Sequence, residues 1–195
     1  AGEKRFTPTP GGYRYANELV EGIRKYQGSS SYRRSKGLET EDRFFCIGVG
    51  AYPEKHFEAA NVETDIENLK KKVDAGADYI ITQMFFDNNL LYNFLYKIRE
   101  AGITVPVVPG IMPITNAKQV ERAIKLSGSF MPQRFKSLVD KFGSSPEAMK
   151  QAGIAYATDQ IIDLFANGIK NVHVYSMNKP DVAKKIIDNL SNIIS

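Results

Sequence analysis

Three times along the chain a helical segment ends on glycine and an apolar segment begins within a few residues. The instances are Val73-Asp-Ala-Gly76-Ala-Asp-Tyr-Ile, Arg99-Glu-Ala-Gly102-Ile-Thr-Val-Pro and Phe165-Ala-Asn-Gly168-Ile-Lys-Asn-Val. A glycine in this position takes the left-handed conformation that closes a helix. Repeated, the pattern is the αβ half of a βαβ unit, and it constrains the chain to an α/β fold with a parallel sheet.

Four strands can be read: Arg43–Gly50, Asp78–Phe86, Val105–Gly110 and Asn171–Met177. Helices are predicted over Tyr13–Tyr26, Val62–Ala75, Asn88–Ala101, Asn116–Leu126 and Phe130–Phe142, the last with Pro132 in its first turn. Ser145-Pro146 opens a longer helix to about Ala166, with serine as N-cap and proline at N1. Pro180 starts the last helix, capped by Asn178 or Lys179. No linker or low-complexity segment interrupts the series, so residues 1–195 read as part of one domain. A complete (β/α)8 barrel needs roughly 250 residues. With 195 residues and four strands, the chain is either a small open sheet or the back portion of such a barrel.

The segment Ala77-Asp-Tyr-Ile-Ile-Thr-Gln-Met-Phe-Phe-Asp87 begins as a buried strand and is expected to present Thr82, Gln83 and Asp87 at its end. Ligands of open α/β sheets and barrels bind at the carboxyl ends of strands. An amide there donates and accepts at once, which makes Gln83 the first candidate for substrate contact. The strand ending Gly48-Val-Gly50 leads into Tyr52 and His56. Its glycines either admit a flat ligand or relieve packing, and they do not complete a G-x-G-x-x-G fingerprint. On the next helix, Asp65, Asn68 and Lys72 share one arc of about 60° beside the apolar stripe Val62, Ile66, Leu69 and Val73. A carboxylate, an amide and an ammonium so placed suit ribose and phosphate, or a solvated flank. Asn116 is an N-cap, and Gln119 in the first turn faces a ligand or water. His173 alternates with apolar residues and reads as a core histidine, with Tyr175, Asn178 and Lys179 nearer the strand end.

Composition narrows the function classes. The net charge of +4 fits phosphate-bearing cofactors or acidic substrates. Arg33, Arg34 and Lys36 read as a solvated loop, and nucleic acid is not expected as a partner. Apolar runs are too short for a membrane span, so no membrane partner is expected either. A lone cysteine, Cys46, excludes an internal disulfide and reads as a small core residue of the first strand. With no signal segment, the default location is cytoplasmic. Two histidines and one cysteine make no metal cluster, and neither a P-loop nor a G-x-S-x-G elbow is present.

Five segments together resemble the methylenetetrahydrofolate reductase family. They are Ala51-Tyr-Pro-Glu-Lys-His56, the stretch from Asp65 to Ala77, Ile81-Thr-Gln-Met-Phe-Phe-Asp87, Pro109-Gly-Ile-Met-Pro-Ile114 and His173-Val-Tyr-Ser-Met-Asn178. The resemblance implies a flavoprotein oxidoreductase of one-carbon metabolism and methionine biosynthesis, built on a TIM barrel. In that family NADH or NADPH reduces FAD, and methylenetetrahydrofolate is then reduced to 5-methyltetrahydrofolate. It implies that Tyr15 and Ala16 border FAD, and that Tyr52, His56, Ala59, Asp65, Asn68, Lys71 and Lys72 hold its ribityl, phosphate and adenosine portions. It assigns folate contacts to Gln83, Gln119 and Lys179, with Gln83 also meeting the nicotinamide. Lys71 and Lys179 stand where arginine is frequent, which keeps charge but loses the bidentate fork. Ala123 replaces a bulkier aromatic found in some relatives.

By the same resemblance the chain corresponds to the last four β/α units. The family's general-acid glutamate, and the aspartate of its Arg-Gly-Asp stretch, would precede Ala1. Neither Glu54 nor Asp87 is assigned that role, so no catalytic residue is expected in this chain. Two open sheet edges and an apolar inner face lead to an expectation of self-association or pairing with the missing N-terminal half of the barrel. The rival readings are a noncatalytic FAD-binding or interaction module, and another folate- or flavin-dependent barrel enzyme.

Overall fold

The computed structural model describes residues 7–29 and 45–194. The basic cluster Arg33, Arg34 and Lys36 lies outside them, as does the start of the first predicted strand. In order the elements are α1 (Ala16–Gly28), β1 (Gly48–Ala51), α2 (Val62–Asp74), β2 (Tyr79–Thr82), α3 (Asn88–Glu100), β3 (Val107–Val108), β4 (Gly110–Ile111), α4 (Ala117–Ser127), α5 (Gln133–Phe142), α6 (Pro146–Ala166), β5 (His173–Val174) and α7 (Pro180–Leu190).

The three predicted closing glycines all adopt the left-handed region, with φ of 113° at Gly76, 77° at Gly102 and 85° at Gly168. Each returns the chain to a parallel strand. β1 pairs with β2 and β2 with β3, while β4 pairs with β5, every pair parallel. The third predicted strand is thus two short pieces separated by Pro109. Proline has no N–H to give a ladder. Its carbonyl still accepts from His173 N at 2.8 Å, and the next amide, Gly110 N, donates to Thr82 Oγ1 at 2.9 Å. Thr82 is fully buried and consumed by this bridge, so it is not presented to a ligand as the sequence suggested.

The strands follow one another in sequence order. Right-handed crossovers between sequential parallel strands place their helices on one face. The burial alternation fits: Val49, Ala51, Ile80 and Thr82 are buried, while Gly48, Gly50, Tyr79 and Ile81 on the other face are more open. The covered face meets Leu69 of α2, Leu91 and Ile98 of α3, Ile161 and Leu164 of α6, and Val182 and Ile186 of α7 in one core. A second cluster sits beyond the carboxyl end of β2, where Met84 and Phe86 pack with Ile114, Ala123, Met131, Phe135, Met149 and Tyr156.

Long α6 connects the two clusters through a broad buried face that includes Met149, Ile154, Tyr156, Ile161 and Leu164, while Glu147, Gln151, Ala155, Asp159 and Ile162 stay exposed; its buried Tyr156 and Gln160 are satisfied internally. Tyr156 OH donates to Phe86 O at 2.6 Å, and Gln160 Nε2 to Phe85 O at 3.3 Å. Ser145 caps it and Pro146 fills its first turn, as read from sequence.

Several readings are corrected. The strands are shorter than predicted, because the segment ends run as extended loops. Cys46 precedes β1 and is exposed, not a core residue. His173 is exposed as well, because it points away from the helix-covered face; its ring meets Tyr175 edge-on at 4.6 Å. Helix α1 starts at Ala16 rather than Tyr13, since the Glu18 carboxylate accepts from Arg14 N and Tyr15 N and holds Tyr15 extended. Pro132 is the N-cap of α5, one residue outside its first turn. Of the two caps read for α7, Lys179 takes the position, as the sequence allowed, following left-handed Met177 and Asn178.

Candidate functional site

Past the carboxyl end of β1 the chain forms the loop 52–60 before it enters α2. Asn61 caps that helix, its side chain accepting from Thr64 N at 2.8 Å. Asp65, one turn in, reaches back to the loop and accepts from His56 N at 2.9 Å. Lys55 ties the same loop to itself, donating to Ala59 O at 2.5 Å. Tyr52 meets the His56 ring edge-on, with centroids 4.6 Å apart. Glu58 N donates to His56 Nδ1 at 3.2 Å.

Between this loop, α2 and the start of α1 lies a cleft of about 1440 Å³. Pockets for small molecules run to roughly 300–1,000 Å³, so this one suits an extended ligand. All nine residues assigned to the cofactor line it: Tyr15 and Ala16 from the α1 side, Tyr52, His56 and Ala59 from the loop, and Asp65, Asn68, Lys71 and Lys72 from α2. Sequence reasoning missed Arg14, Asn17, Glu58 and Thr64, which line the same cleft. Adjacency to Tyr15 and Ala16 was the available signal for the first two.

The polar flank of α2 borders the cleft, with Asn68 and Lys71 exposed and Asp65 and Lys72 partly buried. Lys72 is half-buried and its Nζ donates to Gly50 O at 2.9 Å. Burial pushes its pKa below the ordinary lysine value, and the Asp65 carboxylate opposes that shift. Lys71 Nζ donates to Asn68 Oδ1 at 3.1 Å. The two glycines of β1 divide the roles read for them. A side chain at Gly48 would strike the Tyr79 ring, whereas at Gly50 it would meet open space.

Gln83 stands at the end of β2, next to the cleft. Its backbone N donates to Ala51 O at 2.7 Å, and its Oε1 accepts from Met84 N at 3.0 Å. Tyr52 and Glu54 line both the cleft and a small recess shared with Gln83, Met84 and Ser129. Glu54 accepts from Phe130 N through both oxygens, at 2.9 and 3.1 Å. Burial raises its pKa above the ordinary carboxylate range; the Phe130 bond works against this and Asp87 adds to it. Asp87 itself caps α3, accepting from Asn89 N at 3.0 Å.

Gln119 and Lys179, distant in sequence, meet at Thr115. Gln119 Oε1 accepts from Thr115 N at 2.7 Å, from Thr115 Oγ1 at 3.1 Å and from Asn116 N at 3.2 Å. Asn116 returns the favour by accepting from Gln119 N at 3.0 Å, a reciprocal capping box. The carbonyl of Gln119 is thus turned onto its own helix start, not toward ligand or water. Lys179 Nζ donates to Thr115 Oγ1 at 2.8 Å. Among the described residues no group of three or more histidine, cysteine, aspartate and glutamate residues is placed to hold a metal, and no helix is long and apolar enough to cross a membrane.

Parallel strands deliver a loop, a helix flank and a set of cations to one large cleft at their carboxyl ends, and the chain is an α/β protein of the class whose ligands bind at strand ends. The comparisons make the family explicit. The family model for methylenetetrahydrofolate reductase matches residues 1–191. Methylenetetrahydrofolate reductase 1 of Schizosaccharomyces pombe is 35% identical over 95% of this chain and 28% of its own length. Methylenetetrahydrofolate reductase (NADH) 1 of Zea mays is 35% identical over 98% of the chain and 32% of its own length. The 5,10-methylenetetrahydrofolate reductase of Escherichia coli is 36% identical over 75% of the chain and 49% of its own length. A solved structure described as an uncharacterized protein from Clostridium thermocellum that binds two copies of 5-methyl-5,6,7,8-tetrahydrofolic acid shares the fold. Its TM-score is 0.54 at 18% identity, covering 77% of this chain and 54% of that one. The chain belongs to the methylenetetrahydrofolate reductase family, and it spans between about a quarter and a half of the length of these curated relatives.

Proposed function

We propose that the chain is the cofactor-holding portion of an FAD-dependent reductase that converts 5,10-methylenetetrahydrofolate to 5-methyltetrahydrofolate with NADH or NADPH. One observation carries the cofactor part of this reading: nine residues drawn from three separate segments line a single extended cleft at the strand ends. The donor set fits a flavin dinucleotide. Asp65 and Asn68 suit ribose hydroxyls, Lys71 and Lys72 suit a diphosphate, and Tyr52 and His56 offer ring faces beside the strand end. Bound flavin would supply hydride transfer between the nicotinamide and the folate.

The protein's own groups bind, orient and exclude water. Gln83 offers an amide beside the Tyr52 end of the cleft, where it would meet the pterin and the nicotinamide in turn. Lys179, held at Thr115, would face the acidic part of a folate, and Gln119 supports it by fixing Thr115. Neither Glu54 nor Asp87 serves as the acid: one holds the Phe130 amide and the other caps α3. The general acid is assigned to a glutamate outside this chain, and the chain alone is expected not to complete the catalytic cycle. Its four successive parallel units are read as consecutive parts of a (β/α)8 barrel, paired with an N-terminal half or with a second copy. Plant relatives named as NADH enzymes support a nicotinamide reductant.

The test is the visible absorption spectrum of the purified chain after incubation with FAD and removal of free ligand. Retained flavin supports a cofactor platform that is competent in this chain. If no flavin is retained with or without the complementary half, the cofactor reading is wrong.

A further inference from the structure

Three cationic side chains line the cleft, and they differ in what already holds them. The Lys72 ammonium rests on Gly50 O and that of Lys71 on Asn68 Oδ1, both from α2. Arg14 comes from the other side, just before α1. Its backbone is anchored, with Arg14 N donating to Glu18 Oε2 at 2.7 Å. Its guanidinium extends over the Tyr15 ring, 5.3 Å from the centroid, and among the described residues neither a hydrogen-bond acceptor nor a carboxylate engages it.

Three carboxylates line the cleft: Asp65 is committed to His56 N and Glu54 to Phe130 N, and among the described residues none of them, Glu58 included, pairs with Arg14. Chemistry separates Arg14 from the lysines as well. A lysine is a point charge, whereas the planar guanidinium presents a fork that matches two phosphate oxygens at once. With lysine at both cleft-lining cationic positions of α2, Arg14 is the one fork among the cleft-lining residues. A ring stacked beneath it limits its orientations before any ligand arrives.

We infer that Arg14 is a diphosphate-binding residue, closing on the cofactor from the α1 side while Lys71 and Lys72 hold it from α2. This rests on the flavin reading above. It extends that reading to a residue outside the matched motifs, and it makes the start of α1 a charged wall as well as an apolar one.

The experiment titrates FAD into the unsubstituted chain and into R14A and R14K at two ionic strengths, following flavin fluorescence. R14A should bind FAD about tenfold more weakly at low salt, a loss of about 1.4 kcal/mol. The gap should narrow at high salt, because an exposed charge contact is screened. R14K should recover part of the loss. Equal affinity in R14A overturns the inference, and so does a loss that salt leaves unchanged, which would mark a packing role. If the unsubstituted chain binds no FAD with or without the complementary half, the flavin reading falls first and the inference with it.

Discussion

The cleft beside β1 and the node around Thr115 are both built at strand ends, yet they are finished differently. The cleft is held open. Its loop is braced from behind by Asp65 and Lys55, and its cations line the space between α1 and α2. The node is closed on itself: Gln119 spends its carbonyl on Thr115 and Asn116, and Lys179 is held on Thr115 Oγ1. The difference teaches where binding energy goes. A ligand entering the cleft meets side chains already placed, which reduces the ordering cost of association. A ligand reaching the node has to compete for Lys179 with a hydroxyl. The cofactor side is therefore expected to dominate affinity and the folate side to discriminate.

The largest effect should come from attacking the node through its packing. Gly153 on α6 lies against Ile114, and an added Cβ would collide with the Ile114 carbonyl, one residue from Thr115. Gly153→Ala should destabilise the chain by about 3 kcal/mol in urea denaturation, since overpacking of a close backbone contact has little room to relax. Flavin affinity of the remaining folded protein should fall less than folate handling; the reverse order would break the comparison.

Next, Lys72→Met should weaken FAD binding about tenfold, roughly 1.4 kcal/mol, by equilibrium titration. The substitution keeps the apolar stem that α2 packs and removes only the charge. An unchanged dissociation constant would mean that Lys72 serves β1 alone, through Gly50 O.

Gln83→Leu and Lys179→Ala should leave flavin binding within about twofold while raising the folate KM of the assembled enzyme several-fold, a loss of about 1 kcal/mol. Normal folate turnover in Gln83→Leu refutes its substrate role. A loss of flavin in either variant would join the two regions into one site.

The smallest effect concerns Glu54, which lines both the cleft and the Gln83 recess. Its folded pKa is raised above the unfolded value, so the folded state binds the proton more tightly. Stability from this group is present below the unfolded pKa and is lost as pH rises through the folded pKa. Glu54→Gln, whose amide oxygen can still accept from Phe130 N, should flatten that dependence and raise Tm slightly at neutral pH. A variant that melts lower than the unsubstituted chain at neutral pH would show that the charged form is the stabilising one.

Much of this molecule was legible because its signals are local. The three closing glycines depend on helix geometry alone, and all three were found. The α2 arc depends on 3.6-residue periodicity, and its polar edge does face the cleft. His173 was misread because alternation with apolar residues does not say which face of a sheet is covered, and Cys46 because the apolar run it belongs to extends ahead of the residues that pair as β1. Thr82 and Asp87 were misread for another reason. Their side chains found backbone partners in distant or following segments, and a polar residue at a strand end looks the same whether it awaits a ligand or satisfies an amide.

The amino-acid sequence by itself determined the alternation of helix and strand, the parallel sense of the sheet, the capping of α4, α6 and α7 and the family. Each of these follows from short-range periodicity, turn chemistry or motif order. Only the tertiary structure decided which polar groups remain available. It placed the Arg14 guanidinium at the cleft over the Tyr15 ring with no acceptor among the described residues, turned Gln119 onto its own helix start, and split one strand at Pro109. Hydrogen-bond satisfaction is a property of groups brought together from far along the chain, and no local pattern records it.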